Sequence, residues 1–238
     1  MKTIEIIKEL EKFQKAIFSI NDLAKIIKKP RKYSSLVLYR LKKKGLIVDI
    51  EKNKYVFKEL SPYVVFSNLI YPSYLSFLTA FSYYNLTAQI PKQIQIVSLK
   101  SKKEVEFENY KLKFVRFKPN RFFGYKREKM ARGFIFIAEL EKAIIDSLFL
   151  PKYCPIDETF NVLNEAIENI NIEKLIDYAL KMKNKVILKR LGYLLEKKNI
   201  DIYNKIKDKL NKKYDKLDIL SKKGKRNKKW RLIINRNF

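Results

Sequence analysis

The chain has 238 residues, 47% of them apolar and 13% aromatic, so it can bury real cores, and wholesale disorder is excluded. Its formal charge of +28, from 53 Lys and Arg against 25 Asp and Glu, favours a polyanionic partner: nucleic acid first, an acidic protein or anionic membrane surface second. The lack of histidine excludes imidazole metal sites and Ser-His-Asp or Cys-His catalysis, and a single cysteine, Cys154, excludes intrachain disulfides and cysteine-based zinc clusters.

Over residues 1–17, Ile4, Ile7, Leu10, Phe13 and Ile17 recur at spacings of three and four and predict one apolar helix face. Ser19 is placed to cap a second helix, with Asp22 three positions on returning a bond to the backbone. Leu23, Ile26 and Ile27 supply its inner face, and it ends at Lys28-Lys29-Pro30, because proline disfavours helical geometry in the residue before it. A third helix is predicted over 32–44, stopped by Gly45 in a left-handed cap. Leu46, Val48 and Ile50 then alternate, a polar turn follows at Glu51-Lys52-Asn53-Lys54, and Tyr55 to Phe57 completes a hairpin. Helix, helix, tight turn, helix and hairpin is the order of a winged helix-turn-helix, which we assign to residues 1–60.

Composition shifts at Leu60-Ser61-Pro62, the expected boundary of a second domain over 61–238. Pro72 reads as the first residue of a helix through Tyr84, and 93–99, 111–117 and 134–137 have the β-branched and aromatic character of strands. Residues 139–150 form a helix closed by Pro151, so 61–151 is an α/β part. Residues 152–238 are a helical part, with four amphipathic segments between 156 and about 210 broken near Asn169, Asn184 and Asn199. A basic, flexible-looking tail spans 221–229, and a last strand is expected from Trp230. The fold class is therefore α+β. The most apolar stretch, Tyr63 to Leu86, is interrupted by Pro72 and polar residues and reads as core; the charged N-terminus resembles no signal peptide. A cytoplasmic protein with no membrane association is expected.

The sharpest chemical signal is the third helix. Val37, Leu38 and Leu41 face inward on helical spacing, whereas Ser35, Tyr39 and Lys42 share the outer face with Lys32 one turn ahead. No acidic residue lies between Leu23 and Val48. A helix that enters a major groove needs short polar side chains near its N-terminus to reach base edges, flanked by cations for phosphates. Lys32, Ser34, Ser35, Tyr39 and Lys42 are the groove-facing candidates; Lys29, Arg31, Arg40, Lys43, Lys52 and Lys54 are the phosphate contacts, with Asn53 beside them at the wing tip. A small bundle with a solvated basic face is the plainer alternative.

In the second domain, Arg116, Lys118, Arg121, Lys126, Arg127 and Arg132 alternate with Phe114, Phe117, Phe122, Phe123 and Tyr125. Such interleaving makes a stacking and phosphate-binding surface for single-stranded nucleic acid, or else a sheet core with cations outside. Glu104, Glu106 and Glu108 with Lys111 and Lys113 loosely match acid-plus-lysine nucleases but no strict pattern, and Glu139, Glu141 and Asp146 read as helix-start and packing carboxylates. No catalytic residue, metal or cofactor is assigned, and the protein is not expected to be an enzyme.

Several runs resemble AbiEi-type antitoxins. Phe77-Leu78-Thr79-Ala80-Phe81-Ser82-Tyr83-Tyr84-Asn85-Leu86-Thr87 with Gln89-Ile90-Pro91 is similar to one family segment, and Lys118-Pro119-Asn120-Arg121-Phe122-Phe123-Gly124 to a second. A third covers Ala138-Glu139-Leu140-Glu141-Lys142-Ala143-Ile144-Ile145-Asp146 through Leu150-Pro151, where the family often has proline at Leu140. Arg190-Leu191-Gly192-Tyr193-Leu194-Leu195-Glu196 and Trp230-Arg231-Leu232 are similar to its C-terminal part. The resemblance implies an antitoxin of a two-gene, phage-defence operon. Its winged helix would repress the operon by binding inverted repeats in the promoter, as a monomer or weak dimer. Its second domain would counter a nucleotidyltransferase-type toxin, often without a stable complex, with Arg116, Lys118, Arg121, Phe123, Lys126 and Arg127 as the candidate antitoxin surface. Other readings open to the residues are a ligand-responsive winged-helix transcription factor, or a nucleic-acid-processing or RNA-binding protein using the Arg116–Arg132 surface.

Overall fold

The computed structural model describes residues 3–13, 15–221 and 223–238. Met1, Lys2 and Gln14 of the helix expected over 1–17, and Lys222 of the expected tail, lie outside the described residues. The fold is mixed α+β with helices and several sheets.

The chain opens with α1 (Thr3–Lys12), α2 (Ile20–Ile27) and α3 (Arg31–Lys43), followed by the antiparallel hairpin of β1 (Ile47–Glu51) and β2 (Lys54–Phe57). Local chemistry sets these boundaries. Ser19 caps α2 in a full capping box, its Oγ accepting from the Asp22 amide at 3.2 Å while Asp22 accepts from the Ser19 amide at 2.7 Å. The α2 helix stops at Lys28 in left-handed geometry (φ 52°), and Gly45 (φ 68°) lets the chain reverse after α3, where a side chain would be strained. The expected inner face of α1 is shifted: Ile6 and Leu10 are buried, while Ile4 and Phe13 are 67% and 49% exposed. The first helix ends at Lys12, well before Ile17, so the spacing that included Ile17 did not belong to one helix. Ile6, Leu10, Phe18, Leu23, Ile27, Val37, Leu38, Leu41 and Ile47 form one core. Phe18 exchanges both backbone bonds with Tyr55, at 3.0 and 2.8 Å, and its ring lies against Tyr55 and Phe57, so the loop after α1 is tied to the hairpin.

Next come α4 (Pro62–Ser67), β3 (Ser73–Leu75), α5 (Phe77–Tyr83), β4 (Gln93–Ser98), β5 (Val105–Phe107), β6 (Tyr110–Arg116), β7 (Tyr125–Met130) and β8 (Gly133–Ala138). The strands form one six-stranded sheet in the order β5-β6-β4-β3-β8-β7. It is mixed: β4 runs parallel to β6, and β3 runs parallel to β8 but antiparallel to β4. The helix expected from Pro72 is corrected, since Ser73–Leu75 is instead a central strand, and α5 begins at Phe77. All three residues of β3 are buried, so the segment shows no alternation and reads like buried helix.

The remaining elements are α6 (Leu140–Phe149), α7 (Ile156–Ala166), α8 (Ile172–Lys181), α9 (Lys185–Glu196), α10 (Tyr203–Ile206), β9 (Asp215–Lys216), β10 (Lys225–Asn227) and β11 (Leu232–Ile234). The last three strands form a small sheet in the order β10-β11-β9. Part of the tail read as flexible is thus a strand, paired with β11 through Lys225–Asn227.

Packing divides the chain into two compact units. One holds the described residues up to Leu75 with Lys92–Arg116 and Arg127–Ile137; the other holds Ser76–Pro91, Phe117–Lys126 and Ala138–Phe238. Among the described residues no helix is long and apolar enough to cross a membrane.

Candidate nucleic-acid interface

The third helix sorts its residues cleanly by side. Val37, Leu38 and Leu41 are buried at 4% exposure or less, as their spacing predicts. Ser34 joins them: it is fully buried and its Oγ donates to the Pro30 carbonyl at 3.1 Å, so it does not stand on the outer face with the other groove-facing candidates. At 3.6 residues per turn, the line opposite the buried side runs through Lys32, Leu36, Tyr39 and Lys43, flanked by Arg31 and Ser35 on one side and Arg40 on the other. Arg31, Lys32, Ser35, Leu36 and Tyr39 border a shallow surface depression beside Ile20. Among the described residues, the side chains of Lys29, Arg31, Lys32, Arg40 and Lys43 make no ion pair or hydrogen bond, so their charge is available to a partner.

Two of the lysines expected to contact DNA are paired with carboxylates of the protein. Lys42 pairs with Asp49 of β1, and this hydrogen bond raises its pKa. Lys54 pairs with Glu51 at 2.9 Å, and Lys102 pairs with the same carboxylate. Burial alone would raise Glu51, but its hydrogen bonds from Lys102 and Lys54 outweigh that and hold the carboxyl below its ordinary range. The hairpin turn is therefore braced against the sheet-bearing part of its own unit. At its tip Asn53 takes left-handed geometry (φ 59°) and its Oδ1 accepts from the Ile20 amide at 3.4 Å, while Lys52 is exposed. Sequence spacing missed Leu36, which is 44% exposed beside Tyr39 at 62%. The signal was present: Leu36-Val37-Leu38 are consecutive, and three neighbours on a helix cannot all face inward.

The basic and aromatic run after β6 is arranged differently. Phe114 and Phe117 are buried, Phe122 packs edge-on against Tyr125, and Phe123 packs against Tyr178. Arg121 lies over Phe149 and donates from Nε to the Met182 carbonyl at 2.9 Å; Arg127 lies 3.6 Å from the centre of Phe134, and Lys126 lies over Tyr84. Arg132 pairs with Glu59 at 2.5 Å. Of the six candidates for an antitoxin surface, Arg116, Lys118, Lys126 and Arg127 are exposed, whereas Arg121 and Phe123 are half-buried. Phe122, Phe123 and Tyr125 are half-buried, and each ring meets another ring edge-on. Two of the three nuclease-like carboxylates are paired: Glu106 with Lys111 at 3.2 Å and Glu104 with Lys113 at 2.5 Å.

Several ions are buried in the second unit. In α6, Lys142 and Asp146 form a fully buried pair one turn apart, and Ser76 donates to Asp146 at 2.8 Å. Burial lowers the Lys142 pKa against the pull of Asp146. In α9, Lys189 is fully buried and donates to Asn211 at 2.7 Å, to the Lys213 carbonyl at 2.5 Å and to Asp215 at 2.6 Å. Arg190 beside it donates to the carbonyls of Leu148 and Lys216, and burial pulls its guanidinium down to about 10. Glu139 accepts from the Tyr178 hydroxyl, and Glu141 pairs with Lys174 at 3.2 Å. Cys154 is a buried packing thiol pushed up to about 12 by burial.

Residues 5–58, which span the three helices and the hairpin, match a family model described as a transcriptional regulator, AbiEi antitoxin. The matched family is the one the sequence resembles; the matched segment is less than a quarter of the chain, and the runs quoted for the resemblance lie outside it. No curated protein matches the chain.

Proposed function

We propose that this protein is a winged-helix repressor of its own operon and the antitoxin of that operon. On this reading residues 1–60 bind double-stranded DNA and residues 61–238 counter a nucleotidyltransferase-type toxin. One observation carries the DNA half: in the segment that matches the AbiEi regulators, the outer face of α3 holds Arg31, Lys32, Arg40 and Lys43, unpaired among the described residues, and no carboxylate. The hairpin tied to the core through Phe18 and Tyr55 serves as the wing. Lys32, Ser35 and Tyr39 face the groove; Lys29, Arg31, Arg40, Lys43 and Lys52 hold phosphates, with Asn53 turning the wing tip. Lys42 and Lys54 brace the wing and contribute less than the unpaired cations.

The test is an anisotropy titration of the full chain against duplexes from its own upstream region and against scrambled duplexes at matched salt, since the electrostatic term binds any duplex. Preference for the upstream duplex by tenfold or more supports the repressor reading, and equal affinity contradicts it. Expressing the neighbouring gene with and without this chain tests the antitoxin half: rescue of growth supports it, and unrelieved toxicity contradicts it.

A ligand-responsive regulator is the second reading, favoured by one feature. A cavity of about 490 Å³, lined by apolar residues including Leu10, Phe57, Leu60 and Phe134 and by the charged Glu11, Lys15, Lys129 and Arg132, lies within the first unit. Its volume suits a small molecule. A Leu60→Trp variant fills it; unchanged DNA binding and unchanged promoter repression in cells would count against a ligand there.

A further inference from the structure

The centre of the α3 outer face is apolar. Leu36 and Tyr39, three residues apart and therefore side by side on the helix, are exposed between Lys32 at one end of the line and Lys43 at the other. Neither makes a ring contact, a hydrogen bond or an ion pair among the described residues. A leucine and a tyrosine side by side on the most outward line of a basic helix gain nothing from water, whereas a second surface would desolvate both.

The residue types on the helix narrow what that surface presents. From Arg31 to Lys44 there is no Asn, Gln, Asp or Glu. The side-chain amides that grip adenine in two bonds are absent, and so are the carboxylates that accept from cytosine. Apart from hydroxyls, which do not discriminate strongly between bases, the remaining chemistry is cationic, which reads the acceptors of guanine, or apolar, which reads the one methyl group in the major groove, at C5 of thymine.

We infer that Leu36 and Tyr39 are specificity-determining residues that recognise thymine C5-methyl groups, and that the DNA this helix selects carries thymines at the middle of its contact. This rests on the DNA-binding reading given above. The leucine side chain and the face of the tyrosine ring bracket the methyls of neighbouring thymines, while Lys32 and Lys43 hold the two ends of the line. Ser35, short and polar, reaches either type of base.

The experiment selects binding sites for the full chain from a randomised duplex pool and then replaces each thymine of the selected duplex, one at a time, with deoxyuridine. That change removes a methyl and keeps the base pair. The expected result is a selected site in which one or two replacements weaken binding about fourfold each, the transfer value of one buried methyl. With Leu36→Ala or Tyr39→Ala, a sensitive position becomes indifferent to the replacement, and the exposed location of both residues leaves the fold intact. A selected site whose affinity survives every replacement overturns the methyl readout and leaves the DNA-binding reading standing. A pool that yields no preferred site overturns that reading, and the methyl readout falls with it.

Discussion

Helices α3 and α9 each set basic residues among leucines, and the structure uses them in opposite ways. In α3, Arg31, Lys32, Arg40 and Lys43 point to solvent over a three-residue apolar stripe of Val37, Leu38 and Leu41. In α9 the buried residues run without a break from Ile187 to Leu195, and Lys189 and Arg190 are among them. A helix that is apolar on every side is buried, and any cation within it must bring its acceptors along. Lys189 has Asn211, Asp215 and a carbonyl; Arg190 has two carbonyls. Charge alone therefore does not locate a nucleic-acid surface. The informative quantity is how much of the helix circumference is apolar around the charge, and on that measure α3 presents its cations to solvent and α9 faces the core.

This contrast is open to attack at several points. The largest effect is expected in α9, where Lys189→Ala strips Asp215 and the Lys213 carbonyl of their buried donor and should lower unfolding free energy by about 3–5 kcal/mol in a denaturant titration. A loss below about 1 kcal/mol would mean water serves those acceptors as well as the lysine does. Gly192→Ala, one turn further along, drives a methyl into the Trp230 ring, so it should destabilise by about 1–3 kcal/mol and shift the tryptophan emission. The cap of α2 comes next. Ser19→Ala should lower stability by about 1 kcal/mol through loss of the capping box.

The same cap predicts a pH dependence. Burial raises Asp22, but hydrogen bonds from the side chain and backbone of Ser19 and the Lys15 ammonium outweigh it, so the folded carboxyl lies below its ordinary 3.8. A depressed carboxyl stabilises the folded state above its unfolded pKa and loses that contribution as pH falls through the folded value. Acid unfolding below about pH 4 should therefore be shallower in Asp22→Asn. An unchanged slope would show that Asp22 is not linked to folding. The smallest effect is expected on α3 itself: Arg40→Ala and Lys43→Ala should each change stability by less than about 0.5 kcal/mol, because among the described residues neither side chain has a bonding partner.

What the sequence disclosed was local. The Ser19–Asp22 box, the left-handed Gly45, the hairpin around Asn53 and the inner line of α3 each depend on residues within a few positions of one another, and each stands where spacing placed it. What it concealed was tertiary. Strand Ser73–Leu75 is buried on all sides and has no period to read. Asp49 and Glu51 capture Lys42 and Lys54 only because the hairpin folds back, and Glu51 also takes Lys102 from far along the chain. Ser34 is polar, but it stands three, four and seven residues before Val37, Leu38 and Leu41 and so shares their inward face, a spacing signal that its polarity masked. In the Arg116–Arg132 run, alternation of charge and ring suggests an open surface, but the partners Phe149, Phe134 and Tyr84 come from other segments.

The central claim is that the outer face of α3, and not basic charge at large, binds DNA. The most direct measurement compares two double variants, Arg31→Ala with Lys43→Ala and Arg116→Ala with Lys118→Ala, by titrating each with the upstream duplex over a range of salt. All four side chains are exposed cations, so the two variants remove the same charge. The account predicts that the α3 pair weakens binding and flattens the salt dependence by about 0.9 in slope for each phosphate no longer neutralised, while the Arg116 pair leaves both unchanged. Equal weakening in the two variants, or weakening confined to the Arg116 pair, would contradict it.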